Sequence, residues 1–309
     1  MSRLVPGRGL IREARLLSKG RDWRGRSRTP RSAEPWAPQR EPREFPTKWA
    51  RTRVATAVRM GVQRGMLKPT AWTQTRPVVE GVEHLDGVAG PVIFVANHSS
   101  HLDAPLILGS IPARLARRTA VGAAADYFFD ARWRALLTAL VFNAFPVERQ
   151  GSRRLRSLAP ALLDDGWSLL LFPEGTRSQD GWMNTFRLGA AQLSLTKNVP
   201  VVPIGLRGAY AAMPRGRNWP VPGRARVAVR IGRPLWPDTG ETVRAFNERM
   251  LGGVSRLWAE EDQGWYASLR AAADGALSVP TGPPAARWRR MWESTRPLPD
   301  ERPGRVWKR

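Results

Sequence analysis

The chain has 309 residues, 42% hydrophobic and 25% charged, which is enough for a buried core and one or two domains and excludes a chain disordered throughout. It contains no Cys, so disulfides, Cys-ligated zinc, iron–sulfur clusters and a cysteine nucleophile are excluded, and its three histidines are His84, His98 and His101. Fifty Lys+Arg against 26 Asp+Glu give a net charge of +24, which points to an anionic partner, and 15 of those charges lie in residues 1–53 and 282–309.

From the N-terminus, residues 1–47 are rich in Arg, Pro and Ser and poor in apolar residues, and read as a basic tail without stable structure. Residues 48–75 carry a helical pattern: Val54, Val58 and Val62 recur every four residues among Arg51, Arg53, Arg59 and Arg64. That spacing fits a helix packed on the core, or a basic amphipathic helix lying on a membrane surface. Over residues 76–278 short apolar runs alternate with helical segments, the pattern of an α/β domain with a mostly parallel sheet. The strand candidates are Val92–Ala96, Thr119–Val121, Ser168–Phe172, Val199–Leu206 and Arg226–Ile231. The helix candidates are Ala131–Phe142, Arg153–Leu163, Thr185–Lys197 and a later helix with Val243, Phe246, Met250, Val254 and Leu257 on one face. Residues 279–309 return to a basic composition rich in Pro and Trp. The longest apolar candidate, Leu136–Val147, is short and contains Asn143, so no spanning helix is expected; with no apolar signal core at the start, a cytosolic protein is.

Two segments carry the chemistry. Asn97-His98-Ser99-Ser100-His101-Leu102-Asp103 follows the apolar run ending at Ala96, and strand ends are where open α/β sheets present ligands. His98 is suited to proton transfer near neutrality, and a carboxylate on one ring nitrogen fixes the tautomer so that the other nitrogen accepts a proton. Asp103 is the candidate carboxylate; it is equally placed to cap the helix opening at Asp103-Ala104-Pro105, and the two roles are compatible. Pro173-Glu174-Gly175-Thr176-Arg177-Ser178 follows the run ending at Phe172. Its Gly allows close backbone approach, and its Thr, Ser and Arg donors suit a phosphate; alone it reads equally as a turn with a solvated Arg.

In this order the two segments resemble the glycerolipid acyltransferase family that makes phosphatidic acid from lysophosphatidic acid. His98 to Asp103 matches its H-x4-D motif, with the preceding Asn97, and Phe172 to Ser178 matches its acceptor-binding motif. Phe145-Pro146-Val147-Glu148-Arg149 is similar to the family's second block, whose basic residue helps bind the acceptor phosphate, and Val201-Val202-Pro203-Ile204-Gly205-Leu206 is similar to the fourth. The resemblance spans residues 97–206 and covers neither tail.

The resemblance implies a mostly parallel central sheet flanked by helices, with an N-terminal helical segment and two basic tails. It also implies acyl transfer from acyl-CoA or acyl-carrier protein to the sn-2 hydroxyl of lysophosphatidic acid, with no metal and no further cofactor. His98 would take the hydroxyl proton and Asp103 would orient it. Arg149, Arg177 and Thr176 would hold the acceptor phosphate, Gly175 would admit it, and Glu174 would position Arg177 or an acceptor hydroxyl. With no Cys and no G-x-S-x-G elbow, transfer is expected without an acyl-enzyme. His101 is the secondary histidine of the motif, and His84 is expected in a surface loop. Many members of the family begin with a membrane-embedded hydrophobic helix or hairpin, where this chain has a basic segment with Trp. The expected attachment is therefore peripheral, to the anionic cytoplasmic face of the plasma membrane, with both tails contributing. Another lysolipid acceptor and a non-catalytic relative remain as readings. So does a nucleic-acid-binding protein, although no zinc-finger spacing or RNP-type aromatic motif is present.

Overall fold

A computed structural model describes residues 46–124, 132–147, 158–215, 217, 219–283 and 288. It divides the chain into residues 1–41 and 42–309, and the described residues all belong to the second unit. The expected basic tails fall almost wholly outside them, as do residues 153–157 of one expected helix.

Thr52 opens the first helix by accepting the Ala55 N–H on its hydroxyl at 3.3 Å. Helix α1 (Arg53–Val62) runs through a π-type turn (Gln63–Leu67) into α2 (Lys68–Gln74). There follow β1 (Arg76–Glu80), β2 (Ile93–Ala96), α3 (Asp103–Ser110), α4 (Ala113–Ala116), β3 (Thr119–Ala124), α5 (Arg132–Phe142), β4 (Phe145–Val147) and α6 (Leu158–Asp164). The chain continues with β5 (Ser168–Leu171), α7 (Gly189–Lys197), β6 (Val201–Arg207), α8 (Ala209–Ala212), β7 (Arg226–Ile231), α9 (Val243–Gln263) and α10 (Trp265–Ala273).

The seven strands form one sheet in the order β1-β7-β6-β2-β5-β3-β4. Every neighbouring pair is parallel except β6 and β7. The mostly parallel sheet expected from the sequence is therefore present. Alternation along the strands splits the core in two. Phe94, Ala96 and Leu170 face a layer that includes Leu106 and Ile107 of α3. Ile93, Val95 and Leu169 face the other, with Leu162 of α6, Ala191 of α7 and Phe246, Met250 and Val254 of α9. Gly205 in β6 lets α9 come close: a Cβ there would stand 2.7 Å from the Leu257 Cβ.

Two strands were not anticipated, β1 and β4, and both are edge strands. Each contains a proline, Pro77 and Pro146, a residue the interior of a sheet rejects because it donates no ladder hydrogen bond.

Helix α1 overturns the core-packing alternative. Val54 is 74% and Val58 47% exposed, while Arg59 is 0% exposed. The inward side is instead satisfied by hydrogen bonds. Arg59 Nη1 donates to the Ala50 carbonyl at 2.8 Å and Nη2 to the Thr56 hydroxyl at 3.0 Å, and Gln63 Nε2 donates to the Val141 carbonyl of α5 at 2.7 Å. Burial, reinforced by the charge of Arg51, pushes the Arg59 guanidinium down to about 10, still protonated at neutral pH. His84 also departs from expectation: it is half-buried in a short turn, with Nδ1 2.8 Å from the Ile231 carbonyl oxygen.

Candidate active site

Strands β2 and β5 are parallel neighbours, with Val95 opposite Leu171, so the loops that leave them emerge at the same edge of the sheet. This register brings together two segments 76 residues apart in the chain.

The first loop, residues 97–102, is fixed from several sides. Asn97 bridges to β6, its Nδ2 donating to the Leu206 carbonyl at 2.9 Å and its Oδ1 accepting the Leu206 N–H at 2.8 Å. The Ser100 hydroxyl donates to the Met213 carbonyl at 2.9 Å. Asp103, fully buried at the start of α3, turns its carboxylate back onto the loop. Its Oδ2 accepts the N–H groups of Ser99 and Ser100 at 2.7 and 2.8 Å and lies 2.9 Å from His98 Nδ1. The orienting and loop-closing roles thus coincide on one oxygen, and the helix amides are not where this carboxylate binds. Holding Nδ1 by a carboxylate makes Nε2 the basic nitrogen of the imidazole. The ring stacks on Phe172, centroids 4.1 Å apart and planes 21° apart, and its side chain is 22% exposed.

The second loop grips the first through the main chain of His98. Glu174 Oε1 accepts the His98 N–H at 2.7 Å, and the Ser178 N–H donates to the His98 carbonyl at 2.7 Å. Glu174 Oε2 accepts both the N–H and the Nδ2 of Asn184, at 3.0 and 2.8 Å. Glu174 was expected to position Arg177 or an acceptor hydroxyl; its hydrogen bonds instead lock the peptide of His98 to the chain at Asn184. Burial pushes its carboxyl up to about 7, against the pull of these three donors, and the Asp103 charge adds to the rise.

Gly175 has φ +72°, a left-handed conformation suited to Gly, and the space a side chain would need is taken: a Cβ would lie 2.7 Å from Arg187 Nε. The Arg187 N–H also donates to the Pro173 carbonyl at 2.9 Å. A second guanidinium therefore lies across the acceptor-loop glycine. Thr176 and Arg177 are half-buried beside it. Burial first, then the positive charges of Arg177 and His98, push His101 down to about 4, with Asp103 opposing. His101 is thus neutral at pH 7, and Arg177 is close enough to the histidine loop for its charge to be felt there. Arg149 lies outside the described residues. Among the described residues no group of three His, Asp or Glu side chains is arranged to hold a metal ion.

Of the expected site residues, His98, Asp103, Glu174, Gly175, Thr176 and Arg177 come from the two apposed loops. Sequence reasoning missed Phe172 as the stacking partner, and also Asn184 and Arg187, which lie in the irregular stretch before α7 where no periodicity or motif marks them.

Comparison with known proteins agrees with this site. Residues 76–207 match the family model described as Acyltransferase. The chain is 30% identical over 174 residues to the 1-acyl-sn-glycerol-3-phosphate acyltransferase of Limnanthes douglasii, covering 53% of this chain and 58% of that protein. It is 30% identical over 188 residues to 1-acyl-sn-glycerol-3-phosphate acyltransferase alpha of Homo sapiens, covering 60% and 64%. The crystal structure of the 1-acyl-sn-glycerophosphate (LPA) acyltransferase from Thermotoga maritima superposes with a TM-score of 0.55 at 26% identity, over 70% of this chain and 86% of that one. The chain belongs to the 1-acyl-sn-glycerol-3-phosphate acyltransferase family. It spans about half the length of the curated relatives it matches. The matched acyltransferase region, residues 76–207, contains both loops of the site and strands β1 to β6.

Proposed function

We propose that the protein moves a fatty acyl group from an acyl thioester to the sn-2 hydroxyl of lysophosphatidic acid, giving phosphatidic acid for phospholipid synthesis. The observation that carries this reading is the His98–Asp103 pair at the end of β2, held at 2.9 Å and gripped through the His98 peptide by the Glu174–Ser178 loop. In the reaction, His98 Nε2 takes the hydroxyl proton as the acceptor oxygen attacks the thioester carbonyl. The new C–O bond forms, the C–S bond breaks, and the proton passes from His98 to the departing thiolate. Asp103 stabilises the imidazolium between these steps and keeps the ring aimed. Arg177, with Arg149, binds the acceptor phosphate, Thr176 adds a donor, and Gly175 provides the close approach. Fixed loops lower the barrier by holding the two substrates in line. The donor is acyl-CoA or acyl-carrier protein, and the protein requires no further cofactor. It works as a peripheral protein at the cytoplasmic face of the plasma membrane, its basic tails drawn to anionic lipid.

The test is an acyl-transfer assay on the purified full chain, crossing lyso-acceptors with and without a terminal phosphate against both donor types. Transfer to lysophosphatidic acid well above all other acceptors supports the reading. Equal or better use of a lysolipid without that phosphate assigns a different acceptor, and no transfer from either donor overturns the activity.

A further inference from the structure

Helix α1 has the wrong polarity for a helix facing water. Such a helix turns its apolar stripe to the core and its charges outward. Here Arg59 is fully buried and Gln63 nearly so, both donating to backbone carbonyls, while Val54 and Val58 are 74% and 47% exposed. The helix is held in this orientation by its polar side, so the outward valines do not follow from loose packing.

The neighbouring helix continues the same surface. Gln63 ties α1 to α5 at Val141, and Trp49, just ahead of α1, lines one cleft with Leu136 of α5. On α5 itself Trp133, Leu136 and Leu137 are 64%, 52% and 54% exposed, at the i, i+3 and i+4 spacing of one helical face. Isolated exposed apolar residues are ordinary; a set on two adjoining helices marks an interaction surface.

Charge decides what covers it. Residues 46–79 and 131–147, which supply both helices, contain no Asp or Glu at all. The exposed Lys48 and Arg53 flank Trp49 and Val54, and the Arg134 guanidinium lies over the Trp133 ring at 5.4 Å. Valine and leucine side chains among cations and tryptophans, with no acid, match the boundary between anionic headgroups and acyl chains.

We propose that the outward face of α1 and α5 inserts into the surface of an anionic bilayer, so that the folded domain itself docks on lipid independently of the basic tails. This goes beyond the acyl-transfer reading and stands on the polarity of the two helices.

The test is flotation of the full chain with phosphatidylcholine vesicles containing or lacking phosphatidylglycerol, at low salt and at about 1 M salt, where charges are screened beyond about 3 Å. The variant Val58→Glu/Leu136→Glu changes two exposed positions outside the catalytic loops, and its melting temperature is measured alongside. The wild type is expected to float with anionic vesicles and to retain part of that binding at high salt. The double variant should lose about tenfold or more of the salt-resistant fraction while transferring acyl groups normally to a dispersed short-chain acceptor. Wild-type flotation by a folded double variant would overturn the proposal, as would binding by the wild type that high salt removes completely. A wild-type dimer that the double variant splits, with flotation unchanged, would instead assign the face to a second copy of the chain. Loss of acyl transfer with the dispersed acceptor in the wild type would count against the enzymatic reading alone.

Discussion

The loop pair around His98 and the helix α1 both bury polar side chains, and comparing them separates two uses of the same device. At the loops, Asp103 and Glu174 are buried so that their oxygens collect backbone N–H groups and hold one imidazole. In α1, Arg59 and Gln63 are buried so that their N–H groups reach backbone carbonyls, and the helix is left with valines outside. In the first case buried polarity positions chemistry that the neighbouring residues advertise. In the second it sets the orientation of a surface, and the chemistry lies on the opposite side of the helix.

The largest expected effect comes from the carboxylate that makes the loop a catalytic one. Asp103→Asn should lower kcat by about 10²-fold or more, since general-base and orienting contributions are of that order. An Asn side chain still offers an oxygen to Ser99 and Ser100, so circular dichroism should show a folded protein. Turnover near the wild-type value would reduce Asp103 to a loop-closing residue and remove the distinction from α1.

A smaller effect is expected at Arg177. Replacing it by Ala should raise KM for lysophosphatidic acid about 10- to 150-fold, the equivalent of a lost charge-assisted bond of about 1.5–3 kcal/mol, and leave KM for the donor nearly unchanged. Lys should restore part of the affinity, because it lacks the two-pronged geometry. Equal changes for both substrates would make Arg177 structural, closer in kind to Arg59.

Glu174 sharpens the comparison through pH. Its folded carboxyl is raised from 4.5 to about 7, so between those values the folded state holds a proton that the unfolded state has lost. The stability contributed by Glu174 is therefore greatest below about pH 4.5 and falls as pH rises toward 7. Glu174→Gln, which never ionises, should lie further below the wild type in melting temperature at pH 5 than at pH 8. A gap that does not change with pH would mean that burial of the carboxylate carries no such penalty.

The smallest effect belongs to α1. Val58→Ala should change stability by about 0.5 kcal/mol or less, as surface substitutions do, whereas Val95→Ala in the core should cost several times as much. Chemical denaturation measures both. A large loss at Val58 would show that this face is covered in solution.

These two regions also show what the sequence reveals and what it hides. The central strands β2, β5, β6 and β7 were legible because each is a short apolar run between turns, and the sheet places them within a residue or two of expectation. His98, Asp103 and the Glu174–Ser178 segment were legible because their chemistry is written in contiguous residues directly after those runs. The tie between Glu174 and the His98 peptide was not, since it depends on the strand order that puts β5 beside β2. The Val54, Val58, Val62 spacing announced an amphipathic helix, but periodicity gives a face without saying whether it points in or out. Only the pairing of Arg59 and Gln63 with buried carbonyls settles that. The edge strands β1 and β4 were obscured by Pro77 and Pro146, which read as breaks in the chain and are tolerated there because an edge leaves N–H positions unpaired.

The central claim is that the imidazole held between these loops is the base for acyl transfer. The most direct measurement is kcat of His98→Ala for lysophosphatidic acid with a saturating acyl thioester, on protein whose melting temperature matches the wild type. The account predicts a fall of about 10²-fold or more. Wild-type turnover by the folded variant would contradict it.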